Sequence, residues 1–119
     1  MNKPGYSIIK NFFYAIEGLK ESFKNERAFQ IETVAFVVLG IILWLLPLSL
    51  LSKVILQTSL FLPLIAELFN SAIERCVDLA CQKKHPLAKF AKDAAAAAVL
   101  LTLLFTAGIW VGVCIFEFF

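Results

Sequence analysis

Five polar residues recur at helical spacing within a stretch that is otherwise apolar: Glu67, Asn70, Ser71, Glu74 and Asp78. Because these intervals match the turns of an α-helix, all five fall along one stripe of its surface. Carboxylate oxygens are the ligands that a hard cation such as Mg²⁺ prefers. The stripe therefore indicates a site on a helix face, and two well-placed carboxylates are enough to bind such a cation.

Glu67 lies deeper than the other acids of the stripe. It directly follows the apolar run Phe61–Ala66, whereas Glu74 precedes Arg75 and the acidic Asp78. A rise of about 1.5 Å per residue separates Glu67 and Glu74 by about 10 Å along the helix. An acid within an apolar span is costly and usually faces a bundle interior, where it has a function. Pro63 removes one backbone hydrogen bond and is expected to bend or loosen the helix nearby.

The composition is that of a membrane protein. Of 119 residues, 61% are hydrophobic and 17% are charged, and the mean hydropathy is +0.84. So few charges could not cover a soluble domain of this size, so we expect one membrane-embedded domain over residues 1–119. The net charge of +2 gives no support for a nucleic-acid partner. Three scattered cysteines and one histidine argue against a disulfide framework or a zinc site.

Three apolar runs predict transmembrane helices over residues 33–51, 54–77 and 94–116. Each is near the ~20 residues that cross a bilayer, and only helices satisfy the backbone there. The basic residues lie almost entirely before the first run or between the polar end of the second run and the third: Lys3, Lys10, Lys20, Lys24, Arg27, Arg75, Lys83, Lys84, Lys89 and Lys92. Only Lys53 lies between the first two runs. This bias predicts a cytoplasmic N-terminus and an outer C-terminus.

Residues 8–24 form a different kind of segment. Their apolar side chains recur at helical spacing and their charged ones occupy the opposite side: Ile9, Phe12, Phe13, Ile16, Leu19 and Phe23 against Lys10, Asn11, Glu17, Lys20, Glu21 and Lys24. The pattern predicts an amphipathic helix lying in the cytoplasmic membrane interface. The alternative is a helix packed on a soluble partner. We favour the membrane interface, because the first span begins within ten residues of this segment.

Further polar residues cluster on the predicted cytoplasmic side. Glu26 and Glu32 flank the first span, and His85, Lys89, Lys92 and Asp93 precede the third. Acids that bind a cation, opposite lysines that neutralise phosphate, suit a magnesium–nucleotide complex. No phosphate-binding loop, glycine-rich dinucleotide motif or nucleophile elbow is present in the sequence.

Structural roles stay open for several of these residues. Asp78 and the pair Lys92–Asp93 could be solvated charges, and Glu26 could form an ordinary surface pair with Arg27 or Lys24. His85 is interpreted as a loop residue. The two tryptophans could be packing residues or interface anchors, namely Trp44 and Trp110.

The segment Ala66–Glu74 with Asp78 resembles the E-x-x-N-[ST]-A-I-E-x-x-x-D signature of the prokaryotic diacylglycerol kinase family. The resemblance continues in His85–Lys89, in Ala91–Asp93 and in Asn25–Phe29. It covers nearly the whole chain, from about Ile8 to Trp110.

The resemblance implies an all-α integral membrane protein of the bacterial inner membrane: a homotrimer with a surface helix, three transmembrane helices and active sites shared between subunits. Each site would use ATP and Mg²⁺ to phosphorylate a lipid hydroxyl. Glu67 would be the general base, and Glu26 and Glu74 would bind Mg²⁺. Nucleotide-contacting positions would be Tyr14, Glu26, Asn70, Glu74, Lys83, Lys84, His85, Lys92 and Asp93. Lipid-contacting positions would be Ala28, Phe29, Gln30, Ile31, Glu32, Glu67 and Trp110.

Two departures from the family pattern bear on the lipid acceptor. Ser7 stands near the position of a usual arginine, and Ala95–Ala96 replace a usual Gly-Ser pair. The run His85–Lys89 is similar to members that phosphorylate undecaprenol, whereas Glu32 and Asn70–Ser71 are similar to diacylglycerol kinases. Diacylglycerol is thus the expected acceptor and undecaprenol the alternative. A proton-coupled transporter would not need the cytoplasmic acids and lysines, and a purely structural subunit would leave Glu67 unexplained.

Overall fold

A computed structural model describes residues 7–119, and every regular element among them is an α-helix. Lys3, counted above for orientation, lies outside the described residues. The helices in chain order are α1 (Ile8–Asn25), α2 (Arg27–Leu45), α3 (Leu50–Ser59), α4 (Phe61–Ala80) and α5 (Pro86–Phe118). The expectation of an all-α chain is confirmed.

Helix α1 begins and ends within one residue of the predicted 8–24. The side chain of Ser7 caps its N-terminus by accepting a hydrogen bond from the Lys10 amide, at 3.3 Å. The helix contains no buried residue, and its large apolar side chains other than Ile16 are exposed. Glu26 adopts an extended conformation (φ −109°, ψ 109°) and separates α1 from α2. This single residue is the joint between the two helices.

The first candidate span is α2, and the predicted bounds of 33–51 were wrong at both ends. The helix begins at Arg27, because the polar residues up to Glu32 continue the same helix into the apolar run. It ends at Leu45, since Pro47 disfavours helical backbone in the residue before it. Leu46 is accordingly extended, at φ −77° and ψ 150°. Residues 50 and 51 therefore belong to the next helix.

The second candidate span is longer than the predicted 54–77, running from Leu50 to Ala80 with an interruption at Leu60. Ser49 caps its start, with its side chain accepting from the Ser52 amide at 3.3 Å. The break lies three residues before Pro63, which has no N–H to donate four residues back. The carbonyl of Ser59 instead accepts from the Thr106 hydroxyl of α5, at 3.0 Å. The predicted loosening near the proline is confirmed.

Thr106→Val tests whether the Thr106 hydroxyl takes the place of the backbone N–H that Pro63 lacks. The Ser59 carbonyl would lose its partner in a buried position, which should lower the free energy of unfolding by about 1 kcal/mol. Adding Pro63→Ala supplies an amide that can donate to the same carbonyl. We expect the double variant to be less destabilised than Thr106→Val alone, measured by unfolding in mixed detergent. Equal or greater destabilisation of the double variant would contradict this account.

Helix α5 begins eight residues before the predicted 94–116 and ends two residues after it. Pro86 occupies its first turn, where the missing N–H has no cost, and His85 Nδ1 caps it by accepting from the Leu87 amide at 3.1 Å. Its 33 residues span about 50 Å, more than the ~30 Å hydrocarbon core. Part of α5 therefore extends beyond the apolar layer, and its two lysines lie within its first two turns.

The packed interior of the chain is small. Leu43 and Leu56 are fully buried and form a cluster with Leu48, against which Trp110 and Val113 pack. Most large apolar side chains on α2 and α5 are exposed instead. Three helical stretches are long and apolar enough to cross a bilayer, namely Arg27–Leu45, Leu50–Ala80 and Pro86–Phe118. The chain is thus a multi-pass membrane protein whose apolar surface is solvated by lipid or by other helices.

Candidate active site

Asn70 joins the two central acids of the α4 stripe. Its side-chain amide donates to Glu67 Oε1 at 3.4 Å and to Glu74 Oε1 at 3.3 Å. Glu67 is only 6% exposed and Asn70 only 8%. Since a primary amide has two N–H groups, one on each acid uses both. The bridge fixes a buried and a shallower carboxylate relative to each other on one helix face.

The other predicted acids lie close to this pair. The carboxylate of Glu67 lies near enough to those of Glu32, Glu26 and Glu74 for their negative charges to repel one another. Three buried polar atoms here have no hydrogen-bond partner within residues 7–119: Glu32 Oε2, Asn70 Oδ1 and Ser71 Oγ. Such atoms are costly to bury unpaired, so a ligand that supplies hydrogen bonds is the natural complement.

Glu26 is held by a residue that the sequence did not single out. Arg75 donates from Nε at 3.0 Å, and its Nη2 lies 2.8 Å from the same oxygen, Glu26 Oε1. Nη2 also lies 3.7 Å from Glu21 Oε1 on α1. The sequence predicted a surface pair for Glu26 with Lys24 or Arg27 as the alternative to a metal role. The observed partner lies 49 residues away, on the helix that carries the acid stripe.

Among residues 7–119, no three acidic, histidine or cysteine side chains converge to hold a metal ion by themselves. Mg²⁺ bound with a nucleotide keeps several waters and takes one or two carboxylates plus phosphate oxygens. Glu26 and Glu74 supply carboxylates of this kind. A closed all-protein site, such as structural zinc requires, is not formed by the described residues.

A basic cleft of about 720 Å³ lies where α4 ends and α5 begins. Five of the predicted nucleotide positions line it, together with one further lysine and an acid: Lys83, Lys84, His85, Lys92 and Asp93, with Lys89 and Asp78. Cationic side chains around such a volume suit a polyphosphate. Because His85 Nδ1 accepts the helix cap, its Nε2 is the nitrogen left to donate to a ligand.

Two ion pairs cross or border this cleft. Lys92 on α5 bonds to Asp78 on α4, and Lys89 bonds to Asp93 one turn along the same helix, both at 2.5 Å. Lys92 is also within Coulombic range of Glu74. Lys92 therefore links the cleft to the acid stripe. Lys92 and Asp93, both predicted to contact the nucleotide, are each held by an ion-pair partner.

The remaining predicted positions are more dispersed within one chain. Tyr14 is 60% exposed on α1 and does not line the cleft. Gln30 donates to the carbonyls of Phe23 and Lys24 at the α1–α2 joint. Phe29 is buried, whereas Ile31 is exposed and Ala28 is at the surface.

Trp110 lies apart from residues 28–32 in a single chain. Its Nε1 donates to Ser59 Oγ at 3.1 Å, within the cluster around Leu56. Ser59 precedes Glu67 by eight residues, or about 12 Å of helix. A lipid contact by Trp110 to the same site stays a prediction, because the chain does not bring it together with the other lipid positions.

The sequence model of the prokaryotic diacylglycerol kinases matches residues 13–114, which include the acid stripe, the joint at Glu26 and the cleft. The chain belongs to this family. It is 36% identical to the diacylglycerol kinase of Escherichia coli K12 over 110 residues, covering 92% of this chain and 90% of that protein. It is 40% identical to a diacylglycerol kinase of Helicobacter pylori over 108 residues, or 87% and 80% of the two chains.

A third relative carries a different name. The undecaprenol kinase of Bacillus subtilis is 41% identical over 92 residues, covering 77% of this chain and 75% of that protein. Membership of the diacylglycerol kinase family makes the chain an enzyme of the lipid kinase class in a bacterial membrane. The predicted family is confirmed.

Proposed function

We propose that this diacylglycerol kinase family member transfers the γ-phosphate of ATP to the hydroxyl of diacylglycerol, giving phosphatidic acid. The observation that carries the proposal is the Asn70 bridge, which holds a buried and a shallow carboxylate on one helix face. A lipid hydroxyl arrives from the bilayer and a nucleotide from water, so a site for both needs one reactive group at each depth.

Glu67 acts as the general base in this proposal. It accepts the proton of the lipid hydroxyl while that oxygen attacks the γ-phosphorus and ADP leaves. The hydrogen bond from Asn70 orients its carboxylate, and burial excludes water that would compete with the lipid. The transfer is direct and in line, without a phosphorylated enzyme.

Glu26 and Glu74 would hold Mg²⁺ together with the nucleotide phosphates. The ion, when bound, neutralises charge on the phosphates and orients them for displacement. Asn70 donates to Glu67 and Glu74, and Arg75 of the same helix pairs with Glu26, so the base and both proposed ligands are tied to α4. Asn70 then orders the site by keeping Glu74 and Glu67 apart and in register.

The nucleotide would occupy the basic cleft. Lys83, Lys84 and Lys92 neutralise phosphate oxygens, and His85 Nε2 donates a hydrogen bond. Asp93 restrains Lys89 at the rim through their ion pair. Tyr14 would reach the nucleotide from α1, whose exposed apolar side chains suit a helix lying in the membrane interface.

The lipid acceptor would lie between α2 and α4. Glu32 on α2 and Ser71 on α4 each have a buried oxygen without a hydrogen-bond partner among the described residues, and these oxygens would bond polar groups of the headgroup. The other proposed lipid-contacting positions of α2 are residues 28–31. The exposed apolar faces of α2 and α5 are available for subunit contacts in the proposed homotrimer, through which Trp110 would reach a neighbouring site. The single domain spans residues 1–119, with the N-terminus cytoplasmic and the C-terminus outside.

Undecaprenol is the second candidate acceptor, favoured by the similarity to the Bacillus subtilis undecaprenol kinase. Purified protein in vesicles would be given ATP, Mg²⁺ and either lipid, and kcat/KM would be measured for each. We expect diacylglycerol to be preferred by at least about tenfold, because unpaired polar groups of a site select for a polar headgroup. Preference for undecaprenol would reassign the acceptor, and transfer to neither lipid would refute the kinase proposal.

A further inference from the structure

Arg75 lies between two carboxylates from different elements. Its Nε and Nη2 both contact a single oxygen, Oε1 of Glu26, while Nη2 is 3.7 Å from Oε1 of Glu21. Arg75 directly follows Glu74 in α4. The guanidinium thus contacts one proposed metal ligand, Glu26, and lies within ion-pair range of Glu21 on the surface helix α1.

The Glu26 side chain is directed to α4 and not to its own helix. Glu26 is the N-cap residue of α2, yet its carboxylate makes no capping hydrogen bond to that helix. An N-cap acid ordinarily accepts from the amides of the first turn. The ion pair with Arg75 replaces that interaction and draws the carboxylate across to the acid stripe.

We propose that Arg75 is a positioning residue that holds Glu26 when no cation is bound and shifts to Glu21 when a divalent cation binds. This inference rests on the proposed function, in which Glu26 and Glu74 bind the nucleotide-associated cation. Arg75 would thereby lower the affinity of the site for the cation and would link cation binding to the attachment of α1.

Charge balance gives the physical reason. An arginine stays protonated at any physiological pH, so it cannot yield Glu26 to a cation by losing its proton. Two positive groups on one carboxylate repel each other strongly at separations of a few ångströms. Movement of the guanidinium relieves that repulsion, and Glu21 is already within ion-pair range.

Glu21 is prepared to receive the guanidinium. Asn25, one turn later in α1, donates from Nδ2 to Glu21 Oε1 at 2.6 Å and so restrains that carboxylate. When Arg75 moves to Glu21, α1 gains a stronger tie to α4. Cation binding is then expected to tighten the surface helix against the helix that carries the site.

The test measures binding of Mn²⁺ with the β,γ-imido analogue of ATP, by electron paramagnetic resonance on the protein in vesicles. Arg75→Gln should tighten binding about three- to tenfold, and Glu21→Gln should weaken it about two- to fivefold. Arg75→Lys, which keeps the charge, should stay close to the wild type. Lys20→Gln and Glu17→Gln on α1 make the same charge changes without contacting Glu26 and should have little effect.

The double variant Arg75→Gln/Glu21→Gln decides whether the two residues act together. If Glu21 acts only by receiving Arg75, its replacement has no further effect once Arg75 is gone. Additive effects, or weaker binding in Arg75→Gln, would overturn the inference while leaving the proposed function intact. Failure of the wild type to bind the complex, or full binding by Glu26→Gln, would overturn the proposed metal ligands and this inference with them.

Discussion

Replacement of Glu67 by glutamine is expected to lower the rate of phosphate transfer to lipid by about 10²- to 10⁴-fold, the usual contribution of a general base. Glutamine keeps the shape and can still hydrogen-bond to Asn70, but it cannot accept the proton of the lipid hydroxyl. Since Glu67 is buried away from the cleft lysines, binding of the nucleotide analogue should remain close to that of the wild type.

Two measurements make the Glu67 prediction specific. The rate of lipid phosphorylation and the affinity for the nucleotide analogue are determined on the same preparation. Glu17→Gln, the same change at an exposed position of α1, serves as the matched control and should keep full activity. Full turnover by Glu67→Gln would show that another group accepts the proton.

Replacement of Glu74 by glutamine is expected to act on the metal and not on the lipid. Losing one of two carboxylate ligands should raise the Mg²⁺ concentration for half-maximal activity at least about tenfold, and saturating Mg²⁺ should restore part of the rate. The KM for diacylglycerol should change little, because Glu74 lies toward the water-exposed end of the stripe.

The Glu74 prediction is checked by titrating activity with Mg²⁺ at fixed ATP and lipid. Asp78→Asn is a useful comparison, since Asp78 lies on the same face of α4 as Glu74 but pairs with Lys92 of α5 and is not a proposed metal ligand. Its Mg²⁺ requirement should remain near that of the wild type. An unchanged requirement in Glu74→Gln, or an equal shift in Asp78→Asn, would argue against the assignment.

The sequence predicted the helical class, the three spans and the acid stripe because each depends on local periodicity or hydropathy. The spacing of Glu67, Asn70 and Glu74 defines one helix face, whatever packs around it. The apolar runs indicate the spans in the same local way. These features need no knowledge of distant residues.

For two helix ends that hydropathy placed wrongly, the sequence contained a proline that marks the end. Pro47 ends α2 near Leu45, and the His85–Pro86 pair begins α5, both through known effects of proline on helix termini. Hydropathy alone extended the first span past Pro47 and began the third at the alanine run. The positions of Pro47 and Pro86 therefore predict the end of α2 and the start of α5 better than hydropathy does.

Other contacts depend on tertiary packing and could not be read from the sequence. Arg75 pairs with Glu26 across 49 positions. Near the C-terminus of α5, Glu117 accepts hydrogen bonds from the Ser49 amide and hydroxyl and from the Ser52 hydroxyl. Glu117 thereby caps the start of α3. Trp110 Nε1 likewise donates to Ser59 Oγ, 51 positions away in the sequence. Nothing in spacing or composition specifies which distant residue meets which.

A single-turnover quench experiment shows whether phosphate passes directly from ATP to the lipid. Protein in vesicles containing diacylglycerol is mixed with Mg²⁺ and ATP labelled in the γ-phosphate, and label is followed on lipid and on protein over time. We expect label to pass from ATP to phosphatidic acid without accumulating on the protein, and Glu67→Gln to show almost none of this transfer. Label appearing on the protein before the lipid, or no labelled lipid with the wild-type protein, would contradict direct transfer to the lipid.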